Sequence, residues 1–252
     1  MKSWLICIDD TDDIGTKGTG EIAEEIANLL AQAHLKTEIT SDRCLVTRHQ
    51  LFVHPDIPYT SHNSAMCFQF ETHLCFETIK QICVAHLLVE SAEAADPGLA
   101  ILDMASMYDI NALIAFGRSA KEAVKTKQQA YELAAELGID LTEHGGTGQG
   151  VIGALAGLGL RLSGQDGRVK GQLELGHYGD ASAAVELSVT DILTMSSLQA
   201  VLSDSGDILA MDERVRLSGK LKAVYRQHMF ALLVSRQGDG WVNASKQTLK
   251  AY

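Results

Sequence analysis

Residues 4–8, "WLICI", form an unbroken apolar run, and the next five residues carry four aspartates. This junction constrains the chain more than any other stretch. An apolar run with no polar alternation predicts a strand buried on both faces of a sheet. It ends against Asp9, Asp10, Asp12 and Asp13, whose carboxylates repel one another unless something positive lies between them. Gly15, Gly18 and Gly20 follow. Then "EIAEEIANLLAQAH" puts Ile22, Ile26, Leu29, Leu30 and Ala33 on one side of a helix, with acidic residues in its first turn. A strand, a glycine loop and a helix start are a common device for holding phosphate, because free N–H groups and the helix dipole face the anion. Thr19 is the expected N-cap. Carboxylates and phosphate in one place imply a divalent cation between them, and Mg²⁺ favours one or two carboxylates plus phosphate oxygens. Asp9, Asp10 and Asp12 are therefore the expected metal ligands, holding ATP through Mg²⁺, with Gly18 and Gly20 along the phosphates. Read locally, the same acidic turn is a solvated cap.

The remaining composition narrows the field. A chain of 252 residues suffices for one large domain or two small ones, and a core of that size needs no disulfide staples. Its net charge of −11 argues against a nucleic-acid binder acting alone, since phosphate neutralisation supplies most of that affinity. The five cysteines are odd in number and never spaced C-x-x-C. They read as small buried hydrophobes in a reducing compartment rather than a zinc site. No signal peptide opens the sequence, and no apolar stretch approaches the ~20 residues of a membrane helix, so a cytoplasmic protein without membrane contact is expected.

Further along, strands are expected over 37–46 and 65–70. A second helix is expected over 76–92, with Phe76, Ile79, Ile82, Cys83 and Leu87 at helical spacing. A third covers 120–137 and stops at Gly138. Glycines at 145, 146, 148 and 150 make a loop before a small-residue helix over 151–160. Gly146, Thr147, Gly148 and Gly150 are candidates to line a nucleotide or acceptor, and close helix packing explains the same glycines equally well. Beyond residue 165 the texture turns to strands, with a hairpin expected around Ser218-Gly219, a buried strand in "MFALLV" and a turn into another at "GDGWV". The fold class expected is α/β, a layered mixed sheet with helices in the first two-thirds and a strand-rich C-terminal region. The organisation expected is a nucleotide-binding, kinase-like domain over 1–165 and the strand-rich region over 166–252.

Other chemistries compete for the same residues. Asp10-Thr11-Asp12-Asp13-Ile14 comes close to the D-x-D-x-[TV] opening of haloacid-dehalogenase phosphatases, with Asp207 and Asp212 as downstream acids. Gly148-x-Gly150-x-x-Gly153 matches the dinucleotide G-x-G-x-x-G pattern, which should follow a buried strand. No Walker-type phosphate loop occurs. "AFGRSAKEAVKTK" gathers Arg118, Lys121, Lys125 and Lys127, and Arg118 is the candidate for nucleotide phosphates. His49 and His144 are candidates for proton transfer.

Three stretches in order resemble one family. "ICIDDTDD" with its following "GTG", "HPDIPYTSHNSA" (54–65) and "GGTGQGVIGALAGLGL" (145–160) are similar to the kinase-like domain of the archaeal synthetases that attach agmatine to the wobble cytidine of an isoleucine tRNA. The resemblance covers roughly the first 165 residues. It implies ATP and Mg²⁺ at Asp9, Asp10, Thr11 and Asp12, a phosphorylated threonine carried onto Thr19, and a nucleotide contact at Asn63. The family's second threonine is Gly20 here, and its arginine in the middle segment is lost. No cysteine spacing for the family's zinc ribbon is present, so tRNA is not expected as a partner without additional modules. The function expected is an Mg-ATP-dependent phosphotransferase or ligase-like enzyme, with Asp9, Asp10, Asp12 and Thr19 catalytic and a small-molecule acceptor. The alternatives are a non-catalytic nucleotide or metabolite sensor and the dehalogenase-like phosphatase. A homodimer is the one self-association considered.

Overall fold

The computed structural model describes residues 1–35, 44–57, 62–176 and 184–252. It divides into two compact units, Met1–Ser163 and Gly164–Tyr252. Helices dominate the first and strands the second, giving a mixed α/β protein.

The first unit is built on β1 (Lys2–Asp9), which pairs antiparallel with β3 (Ser64–Thr72) on one side and β4 (Gly98–Asp103) on the other. β2 (Thr47–Gln50) extends the sheet beyond β3, and β5 (Asp140–Glu143) extends it beyond β4, both antiparallel. The apolar run of β1 is buried on both faces because side chains alternate across a strand. Trp4, Ile6 and Ile8 pack with Met66, Phe68, Leu99 and Ile101 under α1 (Thr19–Leu35) and α2 (Phe76–Glu90). Leu5 and Cys7 point the other way, with Cys67, Ala100 and Leu102, toward α5 (Gly150–Leu162). Within α1, Ile22, Ile26 and Leu30 are fully buried, whereas Leu29 lies at the exposed margin of the apolar face.

Every residue of α5 except Ile152 is buried, which requires neighbours to come very close. A Cβ at Gly159 would strike the Leu113 carbonyl, and one at Gly117 would lie 2.7 Å from the Ala156 carbonyl oxygen. Glycine at these two positions lets α3 (Ile110–Ser119) lie directly on α5. Cys7 and Cys67 face each other across β1 and β3, and both are buried. All five cysteines are free: Cys83 is also buried, Cys44 half-buried and Cys75 exposed.

Three local expectations change. Of the strand expected over 37–46, residues 37–43 lie outside the described residues, Cys44–Val46 are not strand, and β2 begins at Thr47. The helix expected over 120–137 begins only at Lys127, as α4 (Lys127–Leu137). A capping box closes its N-terminus there: the Thr126 hydroxyl accepts the Gln129 N–H, and the Gln129 side chain accepts the Thr126 N–H. Gly138 ends it in the left-handed conformation, φ 68°, as the stop signal requires. The missing helix, α3, lies upstream, capped by the Asp109 side chain on the N–H groups of Asn111 and Ala112.

The second unit orders its strands β6-β10-β11-β12-β9-β7, with β8 beside β11. These are β6 (Arg168–Val169), β7 (Val185–Ser188), β8 (Ala200–Ser203), β9 (Arg214–Leu217), β10 (Ala223–Arg226), β11 (Met229–Gln237) and β12 (Gly240–Asn243). A short helix, α6 (Val189–Thr194), packs against it. The expected hairpin at Ser218-Gly219 does not form. β9 pairs instead with β12 and β7, and Asn243 holds the Ser218 backbone in both directions. The tight hairpin joins β10 to β11 through Gln227 and His228, both at positive φ, the geometry of a primed turn made without glycine. "MFALLV" lies in β11, where Ala231, Leu232, Leu233 and Val234 are buried and Met229 and Phe230 half-buried, and "GDGWV" turns into β12 as expected.

Candidate functional site

β1 delivers Asp9 as its last residue, still inside the sheet and buried. Asp10 then adopts φ 54°, a left-handed conformation that few residues other than glycine enter, though aspartate tolerates it better than most. Thr11 is wholly buried. Its carbonyl accepts the Ala92 N–H at 2.9 Å, while its Oγ1 is buried with no hydrogen-bond partner among the described residues. Asp12 accepts the Thr19 hydroxyl at 2.5 Å. Thr19 is not the cap of α1. The Gly18 carbonyl accepts from Glu21 and Ile22, so the helix starts one residue earlier and frees the Thr19 hydroxyl for Asp12. The loop is tied down by Lys17, whose ammonium meets Glu25 of α1 at 2.8 Å and Glu90 of α2 at 2.5 Å, with His86 on the same Glu25.

The first turn of α5 closes over Asp9. A Cβ on Gly153 would strike the Asp9 carboxylate, and one on Gly150 would lie 2.8 Å from its carbonyl oxygen. Glycine at these positions is a packing requirement before it is anything else. Burial pushes the Asp9 carboxyl well above the usual carboxylate range, and the charges of Asp10 and Asp12 push it further. Asp10 rises to about 6, through burial first and then the neighbouring charges of Asp96 and Asp12. This crowding is what an inserted cation would relieve.

Asp9, Asp10, Asp12 and Thr19 share a cleft of about 160 Å³ with Asn63 and Gly150. By water-sized volumes that is room for on the order of ten waters. Asn63 also braces its own wall, donating to the Phe52 carbonyl at 2.6 Å and accepting from Leu51 and Gln50. The remaining sequence candidates do not line the cleft: Thr11, Gly18, Gly20, Arg118, Gly146, Thr147 and Gly148. Arg118 is exposed on α3, and Lys125 of the same basic cluster lines the cleft in its place. Asp56, His62 and Gln149 line it too. They lie in the 54–65 and 145–160 stretches, but nothing in those stretches shows which side chains face the cleft; only the chain's path brings them there.

The glycine loop is closed by the protein's own anion. Asp96 receives the N–H and hydroxyl of Thr147, and the backbone N–H groups of Gly148 and Gln149 also reach it. Burial raises the Asp96 carboxyl, but these bonds outweigh it and hold the group below its usual range. Lys127 secures the loop from outside through Glu143 and the Thr147 carbonyl. These amides thus serve a carboxylate of the chain. The dinucleotide reading also lacks its frame: β5, before the loop, is a four-residue strand paired antiparallel with β4 rather than a strand of a parallel sheet. Of the downstream acids of the dehalogenase reading, Asp207 is held by Ser203 and Ser205 in a turn of the second unit. His49 is buried against Thr47, and His144 bonds Thr142; neither lines the cleft. Burial and then the charge of Lys80 lower the His144 pKa.

Among the described residues, no group of three or more His, Cys, Asp or Glu side chains is placed to hold a metal ion. No helix among them is long and apolar enough to cross a membrane.

No protein-family model and no curated protein matches the chain. Among solved structures, it is similar to a complex of TiaS with tRNA and ATP, at 23% identity over 63% of this chain and 36% of that one, with a TM-score of 0.50. It is also similar to a tRNA fluorescent labeling enzyme, at 24% identity over 63% and 36%, TM-score 0.49. A third is apo TiaS, a tRNA agmatidine synthetase, at 23% over 63% and 35%, TM-score 0.47. The chain spans about a third of the length of these proteins. What the likeness shows is a TiaS-like fold.

Proposed function

We propose that the first unit binds Mg-ATP in the cleft at the end of β1 and acts as a phosphotransferase or ligase-like enzyme on a small-molecule acceptor. The observation that carries this reading is the convergence of Asp9, Asp10, Asp12 and the Thr19 hydroxyl on one cleft, with two carboxyls driven above their usual range by burial and by one another. A TiaS-like fold, together with the ATP in the TiaS complex, supports the choice of nucleotide.

The donor set fits Mg²⁺ in kind, being all oxygen and all carboxylate. Mg²⁺ takes one or two carboxylates and completes its shell with water and phosphate. Asp10 and Asp9 would hold it, and it would neutralise phosphate charge. Asp12 accepts the Thr19 hydroxyl and is placed to take its proton. Thr19 sits at the first turn of α1, where the helix dipole favours an arriving anion.

Titration calorimetry with ATP, with and without Mg²⁺, tests this. Mg-ATP binding by the wild type is expected, weakened about tenfold or more by Asp10→Asn, as for the loss of one charged contact. Turnover with candidate acceptors should fall further in Thr19→Ala than binding does. Absence of nucleotide binding by the wild type would sink the reading. Tight binding without turnover or phosphate on Thr19 would move it to nucleotide sensing.

A further inference from the structure

We propose that Lys125 is the residue that receives the terminal phosphates of the nucleotide, an assignment that rests on the nucleotide reading above. Among the described residues, the cleft is lined by four carboxylates, of Asp9, Asp10, Asp12 and Asp56, and by a single lysine or arginine, Lys125. A polyphosphate carries several negative charges and cannot enter such a lining on a divalent cation alone without leaving carboxylate and phosphate repulsion uncompensated. A second positive charge is needed on the cleft wall.

Four other lysines of this unit are committed to carboxylates: Lys2 to Asp103, Lys17 to Glu25 and Glu90, Lys80 to Asp140, and Lys127 to Glu143. Lys125 is different. It is half-buried, its ammonium lies 5.8 Å from the centroid of the Phe116 ring, and among the described residues it pairs with no carboxylate. A ring face holds a cation weakly compared with an anion, so this ammonium is positioned yet available. Its wall neighbours Ala120, Ala123 and Val124 carry no charge. The next residue, Thr126, caps α4 and fixes the backbone where the lysine leaves it. A lysine on a flexible stem suits contact with a phosphate group as a point charge.

The experiment is an affinity ladder of adenosine, AMP, ADP and ATP with Mg²⁺, measured by calorimetry on the full chain. Lys125→Met keeps the apolar stem on Phe116 and removes only the charge. In the wild type, affinity should climb with phosphate number. In Lys125→Met, ATP should bind about 10- to 100-fold more weakly, the range for losing one charge-assisted contact, while adenosine stays within about twofold. Lys125→Arg should restore most of the ladder. An unchanged ladder in Lys125→Met overturns the assignment. So does an equal loss for adenosine and ATP, which would mark a wall residue only, and so does a ladder compressed by Arg118→Ala instead. A wild type that binds none of the four ligands defeats the nucleotide reading itself, a result distinct from a wild-type ladder that Lys125→Met leaves intact.

Discussion

At the scale of single residues, Asp10 combines two costs. Its backbone is left-handed and its carboxyl is partly buried beside two others, with a pKa raised to about 6. A carboxyl whose folded pKa lies above its unfolded value binds protons more tightly in the folded state. The fold therefore loses stability as pH rises from about 4, the ordinary carboxylate value, to about 6, and the full cost is present above that. Discounted for solvent screening, the cost is on the order of 1 kcal/mol. Asp10→Asn should then melt about 2–4 °C higher than wild type at pH 7.5 without Mg²⁺, with the difference vanishing near pH 4. Thermal melts across that range decide it, and a constant difference at every pH would refute the titration argument. The site was legible at this scale where its residues are contiguous: Asp9, Asp10, Asp12 and Thr19 announce themselves in one stretch. Asp96 is not, since a lone charged residue in a loop gives no local sign of the surface it will face. For Lys125 the sequence shows a basic cluster and not which member faces the cleft, and for Asp56 it shows the 54–65 stretch and not which side chain turns inward.

At the scale of elements, α5 decides how the cleft is made. Its glycines were read as either a phosphate loop or a packing surface, and the geometry gives packing to Gly150, Gly153 and Gly159. Gly159→Ala forces a methyl group onto the Leu113 carbonyl, a backbone atom that cannot swing aside. It should cost about 1–3 kcal/mol, the usual range for overpacking, or more. Gly240→Ala meets nothing within 4 Å and should stay within about 0.5 kcal/mol of wild type. Urea unfolding of both variants checks the contrast. α1 and α2 are visible in advance because their apolar residues keep helical spacing over many positions, and β1 and β3 because they are short apolar runs. The boundary between α3 and α4 was not, because it turns on two caps, Asp109 and Thr126, that sequence alone does not single out. The hairpin was misplaced for a related reason. Ser218-Gly219 carries the usual turn composition, whereas the real turn uses Gln227 and His228, residues that give no such signal.

At the scale of the whole molecule, the two units differ in charge as well as in fold. Residues 164–252 hold ten Lys and Arg against ten Asp and Glu, so the entire formal charge of −11 belongs to residues 1–163. The acidic character that argued against nucleic acid at the outset is thus a property of the helical unit alone. The cysteines are partitioned in the same way, since all five lie in that unit. Burial pushes the thiols of Cys44 and Cys83 up to about 12 and that of Cys7 well above its usual value, so they resist chemistry in the native state. Under native conditions a maleimide should label Cys75 fast and Cys44 slowly. Cys7, Cys67 and Cys83 should react only as fast as the first unit opens, followed by mass spectrometry at rising urea. Early labelling of Cys7 or Cys67 would contradict a closed central sheet. The facing pair on β1 and β3 thereby gives the protein a built-in clock: its ticking counts the openings of one unit and is deaf to the other, so that unit can be timed without cutting the chain or introducing a new cysteine.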